Sequence, residues 1–174
     1  PLITAHQQST RAGVLLINLG TPDDHSPAAI RRYLREFLSD RRVVDLPRAL
    51  WWPVLNAFIL PLRPRRLSHA YESVWQPEGA PLLVYSQRVA DRLQEALSEA
   101  AGKAVPVRLA MRYGNPSIPD VMQRMEAEGI RRIVVIPMYP QYSATTTATA
   151  IDAIGAVLSR SRWIPELRTI NSYH

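Results

Sequence analysis

The chain has 174 residues, of which 47% are hydrophobic and 21% charged, and its net charge is +6; this balance predicts a folded domain rather than a disordered chain. It has no cysteine, which excludes disulfides, a thiolate nucleophile and zinc or iron–sulfur sites built from cysteine. No apolar stretch approaches the roughly 18 to 20 residues that span a bilayer, and the first residues lack the order of a secretory signal, so we expect a cytoplasmic protein.

The positive charge comes almost entirely from arginine. The chain has 21 basic and 15 acidic residues, and Lys103 is the only lysine. Guanidinium groups bind carboxylates and phosphates through two contacts, so an acidic ligand, an anionic membrane surface or a nucleic acid would each suit this composition. The alternative is a surface that uses arginine where other proteins use lysine, and the charge alone does not decide between them.

The first predicted strand and helix lie near the start of the chain. The apolar run 13–19, closed by a glycine, a threonine and a proline, is typical of a strand that is buried on both faces of a parallel sheet. Ser26 followed by Pro27 predicts the beginning of a helix, which apolar residues at helical spacing extend to Leu38. The segment 49–62 is the most apolar stretch of the chain, but it is too short to span a membrane.

Strands and helices alternate through the rest of the chain. The apolar spacing predicts helices over 68–75 and 86–100, a strand over 105–111, a helix from 118 to about 129, a strand over 133–137, a helix through 148–158 and a strand over 167–170. This order predicts a three-layer α/β domain with a four-stranded parallel sheet flanked by helices and right-handed crossovers. We find no internal repeat or low-complexity linker and expect a single domain over residues 1–174.

Three polar stretches, 18–22, 112–117 and 139–149, follow the predicted strands. In open parallel sheets ligands bind beyond the carboxyl ends of the strands, so we predict a binding site at these stretches. The third stretch has hydroxyls at Ser143, Thr145, Thr146, Thr147 and Thr149, although a single hydroxyl is enough to cap a helix. We interpret them as part of the rim of a site, and we expect those in the first helical turn also to cap its free amides.

Each of these features has a structural alternative. Arg112 would also suit a surface ion pair, Tyr139 and Tyr142 would suit packing at the edge of the core, and Asn18 would suit a turn. The chain lacks a glycine-rich phosphate-binding loop, which removes the main support for a nucleotide site. We assign no metal site to the histidines, because their positions show no spacing typical of metal ligands: His6, His25, His69 and His174.

Five longer motifs occur in a fixed order: GVLLINLGTP, RRYLREFLSDRRVVDLP, LPLRPRRLSHAYESVWQPEGAPLLVYS, AMRYGNPSI and IPMYPQYSATTT. Together they resemble the amino-terminal half of bacterial ferrochelatases, which insert ferrous iron into a porphyrin in the last step of protohaem synthesis. The resemblance covers nearly all of the chain from Gly13. It implies a protein of two similar Rossmann-like α/β halves that enclose a porphyrin cleft, and this sequence is similar to the first half alone.

The resemblance also implies a set of porphyrin-binding residues. The apolar positions that line the macrocycle correspond to Leu19, Leu34, Phe37, Val43 and Val44. The polar positions around the ring and its propionates correspond to Tyr71, Arg112, Tyr139 and Thr145. A propionate-binding arginine corresponds to one of Arg63, Arg65 and Arg66, which the spacing does not distinguish. An apolar slot with arginines and hydroxyls at its rim suits a flat ring that carries two carboxylates.

The sequence departs from the family pattern at several points. Ala80 stands where the family commonly has a serine, which puts a hydroxyl contact there in doubt. Ala144 occupies a position at which some relatives have a cysteine ligand of an iron–sulfur cluster, so we expect no such cluster and no bound cofactor, with ferrous iron as a substrate. The family's catalytic histidine and glutamate correspond to positions beyond His174; we therefore assign no catalytic residue and expect this chain to be inactive alone.

The segment 49–62 begins at Ala49 and ends at Leu62, contains Trp51 and Trp52, and is flanked by arginines. By the resemblance it corresponds to the lip of the cleft, and it would suit a peripheral contact with an anionic membrane surface. The alternative is a helix packed wholly inside the domain.

Two other functions stay open. One is a porphyrin- or haem-binding module without catalysis. The other is a basic nucleic-acid-binding domain, although we expect no nucleic-acid partner because the few aromatics lie mostly in or beside apolar runs. The sequence does not distinguish protoporphyrin from coproporphyrin as the substrate.

Overall fold

The computed structural model describes residues 11–173; His6 and His174 lie outside this part of the chain. Within it a four-stranded sheet has the order β2-β1-β3-β4, with β1 at Arg11–Thr21, β2 at Val107–Gly114, β3 at Ile130–Pro137 and β4 at Glu166–Thr169. Every pairing in this sheet is parallel. The carboxyl ends of β1, β2 and β3 therefore meet at one edge of the sheet.

Helices connect the strands. In chain order they are α1 (Pro27–Leu38), α2 (Arg48–Val54), a π-helical segment (Leu55–Ile59), α3 (Leu60–Val74), α4 (Pro81–Ala101), α5 (Ile118–Ala127), a second π-helical segment (Ala144–Ala148) and α6 (Thr149–Leu158). Ser26 caps α1 as predicted, since its hydroxyl accepts a hydrogen bond from the amide of Ala29 at 3.2 Å. A serine at this position satisfies an amide that the helix itself leaves free.

The sheet lies between two layers of helices. Leu15 and Ile17 of β1 pack with Met125 of α5 and Ile154 of α6 on one face. Val14 and Leu16, which alternate with them, pack with residues of α4 such as Ala90 on the other face. This alternation places apolar side chains on both faces of β1 and confirms the predicted three-layer α/β fold.

Several elements extend beyond their predicted bounds. β2 continues to Gly114, so Arg112 is a strand residue rather than the first residue of a loop. The helix predicted over 68–75 is the end of α3, and the helix predicted from Ser86 begins at Pro81. Both helices have proline in their first turn, where its fixed φ suits a helix and its missing amide costs nothing; the apolar periodicity alone did not reveal these first turns.

The ends of β1 and β2 approach each other closely at two glycines. Gly20 has a φ of 110°, and a Cβ built on it would lie 1.8 Å from the carbonyl oxygen of Tyr113. Gly114 has a φ of 79°, and its Cβ would lie 2.6 Å from the carbonyl oxygen of Thr21. Only glycine fits both the positive φ and the close approach of backbone to backbone, so these residues determine how the two strand ends meet.

We expect Gly20→Ala to lower the free energy of unfolding of the 174-residue chain by at least about 2 kcal/mol, because the new Cβ would meet backbone atoms at a strained φ. Gly155→Ala is the matched control: Gly155 lies in α6, and a Cβ there would meet no atom within 4 Å. That change should raise the free energy of unfolding by roughly 0.5–1 kcal/mol. Urea denaturation measures both, and equal stability of Gly20→Ala and the unsubstituted chain would contradict the close approach.

Candidate functional site

An apolar cluster lies at the carboxyl edge of the sheet. Its buried members are Ile30, Tyr33, Leu34, Leu55, Leu60 and Tyr113. Among the partly buried residues that pack against it are Leu19, Phe37, Val43 and Tyr71. The structure thus brings together most of the apolar residues predicted for the site, from β1, α1 and the loop that follows α1, with Tyr71 of α3.

Val44 lies at the side of this cluster. It is half-buried and lines a shallow recess that it shares with Trp51, Trp52 and Leu55. Since Leu55 also belongs to the apolar cluster, the recess lies next to the cluster. Val44 therefore lies beside the apolar segment 49–62.

Arg112 is held in place by an aspartate that the sequence did not single out. Its guanidinium donates to Asp40 Oδ2 at 2.6 Å, and the hydroxyl of Tyr113 donates to the same oxygen at 2.8 Å. The side chains of Arg112 and Asp40 are 17% and 10% exposed. The guanidinium also lies over the ring of Tyr113, 4.4 Å from its centroid. Arg112 is thus part of a largely buried network, and the surface ion pair that the sequence left open does not describe it.

Tyr33, Tyr71, Tyr113 and Tyr139 have phenols with raised pKa values, and burial is the main cause in each. Neighbouring phenols raise the pKa of Tyr33 further, whereas the charge of Arg112 partly opposes the rise at Tyr113 and Tyr139. Since these pKa values lie above those of the unfolded chain, the protonated phenols favour folding below about pH 10, and this contribution is lost as the pH rises further. At neutral pH these side chains are therefore hydrogen-bond donors.

Three buried donors on or after the strand ends have no acceptor among the described residues: the hydroxyl of Tyr139, the Nε of Arg112 and the hydroxyl of Thr147. A buried donor without a partner is unfavourable, and native proteins have few of them. Tyr139 and Arg112 are residues predicted to contact a ligand, so their donors give this edge unused hydrogen-bonding capacity.

The hydroxyls that follow β3 divide into two groups. Ser143 and Thr145 face outward, with their hydroxyls 3.0 Å apart, and Ser143 accepts a hydrogen bond from the amide of Thr145. Thr147 and Thr149 are buried, and the hydroxyls of Thr146 and Thr149 donate to carbonyl oxygens one turn earlier. The expectation that the threonines of the first turn cap free amides was therefore wrong for Thr146 and Thr149, because their hydroxyls point back along the helix.

The predicted propionate-binding arginines lie on α3. Arg63, Arg65 and Arg66 are exposed, and within residues 11–173 none of them forms an ion pair or a side-chain hydrogen bond. Asn18 lies within β1 and not in the turn that the sequence left open, and its amide group donates to the hydroxyl of Ser86 in α4 at 2.9 Å, which connects the strand to that helix.

Arg112 lines two cavities in the described part of the chain. One, of about 580 Å³, runs between α5 and α6 and includes Ile118 and Trp163. The other is an open groove of about 610 Å³. Further arginines line its walls: Arg32, Arg35, Arg41, Arg42 and Arg48. Neither wall includes Leu19 or Tyr139. The predicted residues therefore share an edge of the sheet, but these cavities do not form a slot around them.

The segment 49–62 is largely exposed, which contradicts the alternative of a helix packed wholly inside the domain. Trp52 is 61% and Phe58 63% exposed, whereas Leu55 and Leu60 are buried. Trp51 is half-buried, and its indole donates to the carbonyl oxygen of Leu38 at 2.8 Å. In the described part of the chain, no helix has the length and apolar character needed to cross a membrane.

Among residues 11–173, no three histidine, aspartate or glutamate side chains form a group suited to a metal.

The comparisons agree with the motifs. The family model for ferrochelatase matches residues 11–174. Similar curated proteins, each described as ferrochelatase, come from Marinobacter nauticus (49% identical over 169 residues, 97% of this chain and 46% of the relative) and Thioalkalivibrio sulfidiphilus (52% over 162 residues, 93% and 44%). The chain spans about half the length of the curated relatives it matches. A family model that covers nearly the whole chain, together with relatives that are about half identical, shows that the chain belongs to the ferrochelatase family.

Proposed function

We propose that this chain forms one side of the porphyrin cleft of a ferrochelatase that inserts ferrous iron into protoporphyrin or a related porphyrin. The observation that carries the proposal is the meeting, at one edge of the sheet, of the apolar cluster around Leu34 and Phe37 with the unpartnered hydroxyl of Tyr139 and the buried guanidinium of Arg112. Family membership supports the same function. A flat apolar ring with polar substituents suits a surface of this kind.

The residues of this chain would bind and orient the porphyrin. Leu19, Leu34, Phe37 and Val43 would contact the ring and exclude water from one of its faces. The exposed arginines of α3 would bind its propionates, because their guanidinium groups are free of other ion pairs in the described structure. The phenol of Tyr139 would donate a hydrogen bond, since burial keeps it protonated.

We assign the removal of the pyrrole protons to groups that do not belong to this chain. Metal insertion replaces two pyrrole protons by ferrous iron, so a base must accept them. The carboxylate of Asp40 already accepts hydrogen bonds from Arg112 and Tyr113, and the buried phenols are donors rather than bases. We propose that the groups that receive the protons and deliver the iron lie in the part of the relatives that this chain does not match.

A chimaera tests the proposed function. In it, this chain replaces the 169-residue region that it matches in the Marinobacter nauticus relative. We expect the chimaera to form haem from ferrous iron and a porphyrin, as measured by absorbance, and the 174-residue chain alone to form none above the uncatalysed rate. The unsubstituted relative is the control. A chimaera that binds porphyrin without inserting iron would favour the porphyrin-binding module, and one that is folded yet binds no porphyrin would overturn the proposal.

Tyr139→Phe should separate ligand binding from stability. Removing a buried hydroxyl that has no partner should leave the free energy of unfolding of the chain unchanged or raise it by up to about 1 kcal/mol. In the chimaera the same change should raise the porphyrin KM roughly 2- to 12-fold, as expected for one lost hydrogen bond. Tyr142→Phe is the control, because Tyr142 is exposed. A loss of stability without a change in KM would assign the hydroxyl to the fold.

We also propose that the segment 49–62 lies on an anionic membrane surface. Its exposed side chains include Leu50, Trp52, Phe58 and Leu62, and arginines follow it at the start of α3. Apolar side chains beside arginines suit the boundary between lipid headgroups and acyl chains. This contact would hold the protein on the surface of the membrane without crossing it. A sparingly soluble porphyrin could then pass directly between the membrane and the protein.

Vesicle sedimentation tests the membrane contact. We expect the chain to bind vesicles that contain phosphatidylglycerol more strongly than vesicles of phosphatidylcholine, and to bind more weakly as salt is raised. The double substitution Trp52→Ser/Phe58→Ser should remove most of this binding. Ile164→Ser is the matched control, because Ile164 is 62% exposed and lies outside the segment. Equal losses in both variants would show that the segment has no special role.

A further inference from the structure

We infer that the ion pair with Asp40 fixes the guanidinium of Arg112 as part of the wall of the porphyrin site. Arg112 therefore does not bind a propionate. The inference rests on the proposed function and deepens it, since it divides the arginines of the site by role. The side chain of Arg112 forms part of the wall, and the carboxylate of Asp40 holds that side chain in position.

The guanidinium of Arg112 already has a carboxylate partner and little exposed surface. Its Nη2 donates to Asp40 Oδ2 at 2.6 Å, its face covers the ring of Tyr113, and its Nε is buried. Two-point binding of a propionate needs two adjacent donors that reach the ligand together. At Arg112 one edge is taken by Asp40, so a propionate would have to displace a carboxylate that is only 10% exposed or lie beside it. Two carboxylates at such a short distance repel each other strongly where water is largely excluded.

Asp40 also accepts hydrogen bonds from the loop that follows α1. Its Oδ1 accepts a hydrogen bond from the amide of Arg42 at 2.8 Å. Its backbone carbonyl accepts from the amides of Val43 and Val44 at 3.1 and 3.0 Å. One residue therefore connects the guanidinium of Arg112 to the backbone that carries two of the predicted apolar contacts.

The same loop has a second ion pair that serves as an internal comparison. The guanidinium of Arg42 binds the carboxylate of Asp152 in α6, and both side chains are about half exposed. An exposed pair of this kind contributes little to stability, whereas breaking a buried pair leaves an uncompensated charge. The buried pair, and not the exposed one, should therefore determine the position of the wall.

The arginines on α3 differ from Arg112 in exposure and in pairing. Arg63, Arg65 and Arg66 are exposed and form no ion pair within the described residues. Their guanidinium groups can bind a carboxylate without displacing another one. They are therefore better suited than Arg112 to bind the propionates.

The test compares a porphyrin dicarboxylate with its dimethyl ester, which has the same ring but no charged propionates. Binding of each is titrated by absorbance in the 174-residue chain and in the chimaera. We expect Arg112→Gln and Asp40→Asn to weaken binding of both porphyrins by the same factor, roughly 10-fold to 100-fold. The triple substitution Arg63→Gln/Arg65→Gln/Arg66→Gln should weaken binding of the dicarboxylate alone.

Asp152→Asn, which breaks the exposed pair, is the matched control and should change neither affinity. In the Arg112→Gln background Asp40→Asn should cause a smaller further loss than it causes alone, because Asp40 acts partly through Arg112 and also accepts hydrogen bonds from Tyr113 and from the amide of Arg42. Urea unfolding checks that each variant is folded. If Asp40→Asn does not fold, Asp40→Glu takes its place with the same expectation, since the longer side chain keeps the charge but shifts the contact.

The outcomes distinguish the two proposals. If the unsubstituted proteins bind both porphyrins and Arg112→Gln weakens binding of the dicarboxylate only, Arg112 binds a propionate and this inference is wrong while the proposed function stands. If Asp40→Asn and Asp152→Asn have equal effects, Asp40 has no special role and the inference is again wrong. If the folded, unsubstituted proteins bind neither porphyrin, the proposed function is wrong, and this inference falls with it.

Discussion

The parallel pairing of β1 with both β2 and β3 is the constraint on which the site depends. Because neighbouring strands run in the same direction, Gly20, Tyr113 and Pro137 lie at the same edge of the sheet although they are far apart in sequence. The close approach of backbone at Gly20 and Gly114 brings two of these ends together. Every other feature of the candidate site, from the apolar cluster to the tyrosines, is positioned relative to these strand ends.

The charges around this edge are not equivalent, although nearly all the cations are arginines. Arg112 is largely buried and is matched by one carboxylate and one aromatic ring. The arginines of α3 are exposed. A buried guanidinium needs a fixed partner because desolvation of an unpaired charge is costly, whereas an exposed one is solvated until an anion binds. The same residue type therefore occurs both as a buried, paired group and as an exposed group that is free to bind an anion.

Several features of this chain are unfavourable for a domain that only has to be stable. Donors of Tyr139 and Arg112 are buried without acceptors among the described residues, and Trp52 and Phe58 are exposed to solvent. Such departures are common where a protein binds a ligand or another surface.

The sequence predicted the order of the elements and the parallel sheet well, because apolar periodicity and proline or serine at helix starts are local signals. The start of α1 at Pro27 and the buried strand around Leu16 are examples. The starts of α3 and α4 were missed, because the spacing of apolar residues does not extend through their first turns. The motifs led to the family, since long segments in a fixed order are specific.

The sequence by itself thus determined the layers of the fold and the family of the chain, and it predicted the edge of the sheet at which we propose the site. Only the tertiary structure decided that Asp40 pairs with Arg112 across 72 positions, that Thr147 is buried while Thr145 is exposed, and that the segment 49–62 lies outside the core. The physical reason is that these properties depend on which surfaces meet when distant elements pack. No local pattern of residues encodes such a meeting.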